Sequence, residues 1–259
     1  MTENQDVRYV DTGSFTRTDI EAERMDEEFE IEMSRAGIGA GARILELGYG
    51  HAHFLGWATA RGCKVVGTEI NPALHEAALS AGYNVHLGTL DEIEFPPGTV
   101  FDAIVAFDVF EHLSIAELKA TLTRLHDLLS DDGVVFGRFP NGGSPFGLAF
   151  MAGDITHKTA LNGSAMEQLG ALTGFELVYC RNAARTVTGK RSKLLKRLAF
   201  RVCDLIELAV AFLYFRGRRM LWTATLPVCS DALRGPLSPD GQSTGKSARI
   251  DGRSRARAH

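Results

Sequence analysis

Hydrophobic and polar positions follow two periods along the chain. Between residues 18 and 36, Ile20, Met25, Phe29, Ile31 and Met33 recur among many acids, which predicts an amphipathic helix ended by Gly37, Gly39 and Gly41. From Arg43 the pattern changes to short apolar runs over residues 44–47, 64–68, 84–87, 103–107 and 133–138, interleaved with helical stretches up to Arg61, after Pro72 and over 114–129. Ser114 and Glu117 have capping-box spacing, and Asp131-Asp132-Gly133 reads as a turn. Five strands alternating with helices predict an α/β fold with a doubly wound, mostly parallel sheet.

Past the fifth run the character shifts. Residues 140–163 are rich in Gly, Pro and Asn and predict an active-site loop or lid. Residues 164–173 read as a helix and 176–181 as a late strand. Residues 190–222 combine a basic start (Lys190, Arg191, Lys193, Lys196, Arg197) with an apolar stretch ending in Arg216, Arg218 and Arg219. Within it, Arg201, Asp204 and Glu207 interrupt residues 198–215 on one helical face, which disfavours a membrane span. The organisation expected is an α/β domain over 1–184, a basic amphipathic helical extension over 185–232 and a disordered tail over 233–259.

Charge sharpens that division. Residues 1–184 carry 12 Lys/Arg against 27 Asp/Glu, whereas residues 185–222 carry 10 against 2. An acidic body argues against wrapping nucleic acid, whose affinity comes from cations set along phosphates. The length of 259 residues suits one large domain with an appendage. Four widely spaced cysteines without a C-x-x-C pair, and an N-terminus lacking a basic start and an apolar core, place the expected protein in the cytoplasm.

The chemistry concentrates after the first run. A strand ending in Gly48-x-Gly50 lets the backbone turn tightly and approach a ligand at the start of the next helix. One βαβ step later Glu69 ends the second strand, placed to accept hydrogen bonds from two ribose hydroxyls. A nucleotide site follows. A dinucleotide fingerprint would carry Gly or Ala three residues after Gly50, where this chain has His53, so NAD and FAD are runners-up and a nicotinamide oxidoreductase is the third function considered.

With these pieces the sequence resembles the class I S-adenosylmethionine-dependent methyltransferases over residues 20–180. The matching segments are Glu46-Leu47-Gly48-Tyr49-Gly50-His51, Val66-Gly67-Thr68-Glu69, residues 101–113 and residues 125–133. The resemblance implies a Rossmann-like methyltransferase fold with S-adenosyl-L-methionine as cofactor. By it, Gly48 and Gly50 face the methionine part, Glu46 lies near its ammonium, Glu69 binds the ribose, and Thr89 and Leu90 flank the adenine. Tyr49, Ile70 and Asp108 complete the expected cofactor set. The third glycine common in that loop is Ala52 here.

Two finer resemblances bear on the acceptor. Asp108-Val109-Phe110-Glu111-His112 resembles the E-x-x-E-H run of ubiquinone-pathway O-methyltransferases, which is associated with a divalent cation; alternatively Glu111 and His112 only cap and pack the next helix, and no metal is the expectation. Residues 138–147 with 153–160 resemble methyltransferases of bacterial cell-surface polysaccharide and glycan biosynthesis, which implies methylation of a sugar hydroxyl. Such a reaction needs the acceptor oxygen in line with the methyl group and a group to take its proton. His157, in the Gly-rich loop, is the first candidate base, with Asp154 as its orienter and His112 as the other candidate; His51 and His53 shape the pocket entrance.

The expected function is therefore O-methylation of a small-molecule or lipid-linked sugar. The alternatives are a small aromatic or quinone-like acceptor, and a non-catalytic S-adenosylmethionine-binding scaffold. Residues 190–222 have three readings: peripheral contact with an anionic inner-membrane face, a dimer or partner surface, or packing on the acidic body. Oligomeric state is not legible in the sequence.

Overall fold

The computed structural model describes residues 19–144, 147–184, 186, 193–215 and 228–234. Helix α1 (Asp19–Ala36) leads into β1 (Arg43–Leu47), α2 (His53–Ala60), β2 (Lys64–Glu69), α3 (Pro72–Ser80) and β3 (Val85–Leu87). A 3₁₀ turn at Leu90–Glu92, β4 (Phe101–Phe107) and a second 3₁₀ turn at Phe110–His112 precede α4 (Ile115–Leu128) and β5 (Leu129–Pro140). The chain continues through α5 (Leu148–Gly153), α6 (Gly163–Thr173), β6 (Glu176–Asn182), α7 (Lys193–Phe215) and β7 (Val228–Arg234).

The strands form one sheet in the order β3-β2-β1-β4-β5-β7-β6, with β1 to β5 parallel and β7 antiparallel to both its neighbours. The two-residue period of the central strands divides their side chains between two cores. Leu45, Leu47, Ile104 and Ala106 meet Leu118, Leu122 and Leu125 of α4 and Met166 and Leu169 of α6 on one face. Ile44, Ala103 and Val105 meet Phe29 of α1 and Phe54 and Trp57 of α2 on the other. Helices on both faces explain why β4 reads as a continuous apolar run rather than an alternation. Helix α4 starts where expected: Ser114 Oγ accepts from the Glu117 N–H and Glu117 returns its carboxylate to the Ser114 N–H at 2.7 Å.

The sheet continues past the five parallel strands. Strand β7 inserts between β5 and β6, so within the expected extension over 185–232 α7 is an excursion between the last two strands of the sheet. Its pairing partners are distant in sequence, and no local periodicity marks such a strand. The expected disordered tail, beyond Arg234, lies outside the described residues.

The expected lid is stitched down. Glu111 C=O accepts from the Lys158 and Thr159 N–H groups at 2.8 and 3.1 Å, Thr159 Oγ1 donates to Leu113 C=O at 2.6 Å, and the Gly142 N–H donates to Leu161 C=O at 2.7 Å. These bonds fix residues 158–161 against the turn after β4 and the end of β5.

Candidate active site

The carboxyl edge of the parallel strands carries two groups of residues. The first surrounds the loop after β1. Gly48 and Gly50 have φ of 60° and 52°, and Ala52, standing where the resemblance expects a third glycine, also takes the left-handed region at φ 58°. The Gly48 and Tyr49 N–H groups donate to Thr68 C=O at 2.8 and 3.2 Å, clamping the loop to β2. A Cβ at Gly48 would lie 2.8 Å from Val109 Cγ2, while one at Gly50 would enter open space. The loop thus presents bare backbone, hemmed in at Gly48 and open at Gly50.

Glu69 organises this loop as well as facing it. Its Oε2 accepts from the Gly50 N–H at 2.9 Å, and its Oε1 accepts from the Ile70 and Asn71 N–H groups, each at 2.9 Å. Glu46 lies beneath, buried, with Oε2 unpartnered, and burial reinforced by the nearby Glu69 charge holds its carboxyl well above the usual carboxylate range. A buried Glu46 oxygen without a hydrogen bond and the Glu69 carboxyl beside bare backbone fit a ligand with ribose hydroxyls and an ammonium, whose charge would return Glu46 to its ionised form, and S-adenosylmethionine has that chemistry. Glu46 and Glu69 would hold those parts, with Gly48 and Gly50 allowing close approach.

The remaining expected cofactor residues divide. Tyr49 is buried against Gly67, where an added Cβ would come within 2.5 Å of its Cδ1, so its ring supports the loop from below. Burial, with Glu69 and Glu46 adding to it, pushes its phenol up to about 12. Ile70 is exposed at the strand end, Leu90 is buried in the core, and the Thr89 hydroxyl donates to Glu92 at 2.9 Å. Asp108, in a left-handed turn at φ 56°, is taken up by a bidentate pair with Arg138, whose other arm reaches Glu28 of α1 at 2.6 Å.

The second group gathers above the 3₁₀ turn after β4. The sequence groups Asp108, Glu111 and His112, but the fold withdraws Asp108 to Arg138 and brings in His157. Glu111, His112 and His157 place one ligand atom each within 4.8 Å of one another, a donor set that could hold a divalent transition metal. Glu111 is fully buried with both oxygens unpartnered, and burial, with Asp108 adding to it, pushes its carboxyl up to about 8. The imidazoles of His112 and His157 pack edge to face at 4.7 Å.

Asp154 joins this cluster, but not as the sequence suggests. Its Oδ2 is 3.9 Å from His157 Nε2, too long for a hydrogen bond, while its Oδ1 accepts from the Thr156 N–H at 2.8 Å and hydroxyl at 2.6 Å. Thr156 Oγ1 in turn lies 2.9 Å from His112 Nδ1. His157 Nδ1 faces Met151 C=O at 3.2 Å. Burial, followed by the neighbouring His157, lowers the His112 pKa, which favours the neutral ring at pH 7. Thr156, Arg138 and Glu28 escaped sequence reading; the Asp154-x-Thr156 spacing of an Asx-turn was the available signal for the first.

The comparisons with known proteins bear on the fold and the family. A family model described as Methyltransferase domain matches residues 22–179. No curated protein matches the chain significantly. Among solved structures, a SAM-dependent methyltransferase from Archaeoglobus fulgidus is similar at a TM-score of 0.59 and 17% identity, covering 82% of this chain and 93% of that one. The cyclopropane synthase MmaA2 from Mycobacterium tuberculosis gives 0.55 at 17%, covering 85% and 86%, and the N-methyltransferase NodS from Bradyrhizobium japonicum WM9 gives 0.51 at 14%, covering 84% and 97%. At such identities the structures attest the fold, and the family match carries the assignment. The chain belongs to the methyltransferase domain family and is an enzyme that uses S-adenosylmethionine.

Proposed function

We propose that this methyltransferase O-methylates a hydroxyl of a sugar or glycan precursor, with His112 as proton acceptor and His157 beside it. The observation that carries the reading is the chain from Asp154 through Thr156 to His112. An alcohol must lose a proton as its oxygen attacks the methyl carbon, and a neutral, oriented imidazole supplies the acceptor. An amine attacking through its lone pair has less need of one. The sugar is favoured over an aromatic hydroxyl by the resemblance of residues 138–147 and 153–160 to glycan methyltransferases.

In this mechanism Glu46, Glu69 and the glycine loop hold the methyl donor, and the walls formed by residues 158–161 help to position the acceptor. S-adenosylmethionine supplies an electrophilic methyl group when bound. The work of the chain is alignment plus removal of one proton.

Helix α7 bears on the form of the substrate. Leu195, Leu198, Val202, Leu205, Ile206, Leu208, Phe212 and Leu213 fall on one broad side of the helix and are all exposed, with Arg201 among them and Lys196 further round the helix. No helix of the described residues is long and apolar enough to cross a membrane. An exposed apolar face on a helix that also carries cations suits the surface of an anionic bilayer, where a lipid-linked acceptor would be presented.

The test is methyl transfer to nucleotide-linked and lipid-linked sugars, run beside aromatic hydroxyls and amines. Sugar turnover that falls about 100-fold in His112→Ala, with S-adenosylmethionine binding intact by calorimetry, is expected. Turnover confined to aromatic hydroxyls would replace the sugar by the small aromatic acceptor, and turnover of amines independent of His112 would overturn O-methylation.

A further inference from the structure

The geometry around Thr156 determines which nitrogen of His112 carries a proton. A hydroxyl has one hydrogen to give, and that of Thr156 is committed to Asp154 Oδ1 at 2.6 Å, the same oxygen that takes the Thr156 N–H at 2.8 Å. Asp154 Oδ1 takes both hydrogens that Thr156 offers, its N–H and its hydroxyl, and a carboxylate oxygen only accepts. Towards His112 Nδ1, 2.9 Å away, Thr156 Oγ1 is therefore an acceptor, so Nδ1 bears the ring hydrogen and Nε2 the lone pair.

His157 reaches the same tautomer by another route. Its Nδ1 lies 3.2 Å from Met151 C=O, and a carbonyl only accepts. The two rings, packed at 4.7 Å, thus have Nδ1 tied to the wall of the site and Nε2 left as the basic atom.

We propose that Thr156 is a positioning residue of the methyl transfer, holding His112 as the Nδ1–H tautomer so that Nε2 receives the acceptor's proton. This rests on the reading of His112 as proton acceptor. As the acceptor oxygen bonds to the methyl carbon and the methyl–sulfur bond breaks, the hydroxyl proton passes to His112 Nε2. The positive charge lost at sulfur reappears on the imidazolium, whose Nδ1–H points through the Thr156 oxygen towards Asp154. Asp154 acts at second hand and takes no proton.

The tautomer can be read without any acceptor. Long-range ¹H–¹⁵N correlation spectra of the full-length, ¹⁵N-labelled protein, with His112→Gln identifying the resonance, are expected to show His112 as Nδ1–H. Thr156→Val should shift it towards Nε2–H, and Thr156→Ser should restore the wild-type pattern. In the methylation assay Thr156→Val should lower kcat roughly 10-fold or more at unchanged KM for S-adenosylmethionine, with Thr156→Ser recovering most of it. A His112 that is Nε2–H in the wild type, or a folded Thr156→Val protein with the tautomer unchanged, overturns the assignment. An unchanged kcat in His112→Ala beside the expected tautomer would instead remove the proton-acceptor reading, and with it the catalytic use of Thr156.

Discussion

Arg138 Nη1, on β5, lies 2.6 Å from Glu28 Oε1 on α1, a contact spanning 110 residues of sequence. The same guanidinium holds Asp108, which adopts the left-handed turn leading to Glu111 and His112. The N-terminal helix is thereby coupled to the proposed base through one side chain. These opposite charges hold the Arg138 pKa above its ordinary value despite burial.

Arg138→Met should cost about 3 kcal/mol, because it leaves Glu28 and Asp108 facing each other without a cation. It should also reduce methyl transfer by moving the turn that carries His112. Urea unfolding and steady-state rates would read the two effects; a variant that loses stability while keeping full activity would show that the turn does not depend on Asp108.

Glu69→Ala should abolish measurable S-adenosylmethionine binding, but for two reasons at once. It removes the proposed ribose acceptor, and it leaves the N–H groups of Gly50, Ile70 and Asn71 without their shared carboxylate. The second effect predicts a stability loss of about 2 kcal/mol even without ligand. Calorimetric titration combined with urea midpoints separates them, and an unchanged midpoint would assign the whole effect to the ribose contact.

Glu111 should make the folded state less stable as pH rises. Its carboxyl stays protonated up to about 8 in the folded protein, while in the unfolded chain it ionises near its ordinary value of 4.5. Its contribution is therefore fully present below 4.5 and is lost progressively between 4.5 and 8, on the order of 3 kcal/mol by pH 7. Glu111→Gln should flatten that decline and raise the urea midpoint at pH 8. A wild-type decline that survives the substitution would place its origin elsewhere.

Helix α7 should bring the protein down with vesicles containing phosphatidylglycerol and leave it in the supernatant with neutral phosphatidylcholine. Leu205→Glu should weaken that binding several-fold, as should raised salt, since apolar burial and headgroup charge act together. Concentration-dependent dimerisation without vesicle binding would assign the exposed sector to a second copy.

The parts of the protein that were legible in the sequence depend on local rules. The five parallel strands, the capping box at Ser114 and Glu117, the glycine loop after β1 and Glu69 one βαβ step later follow from side-chain period, backbone freedom and chain connectivity. The family match, over residues 22–179, spans the same segments. Strand β7 was not legible because its partners, β5 and β6, are remote and its seven residues carry no strong alternation.

What only the tertiary structure decided is which polar groups meet. Asp154 looks like the orienter of His157 because they are three residues apart, yet the hydrogen bond goes to Thr156 and so to His112, 44 residues away. Asp108 looks like a partner of Glu111 and His112, yet Arg138 claims it. Sequence fixes which donors and acceptors exist and the periodic faces on which they stand; a hydrogen bond depends on distances near 3 Å and on direction, and those are set only once helices and loops from distant parts of the chain have packed onto the sheet.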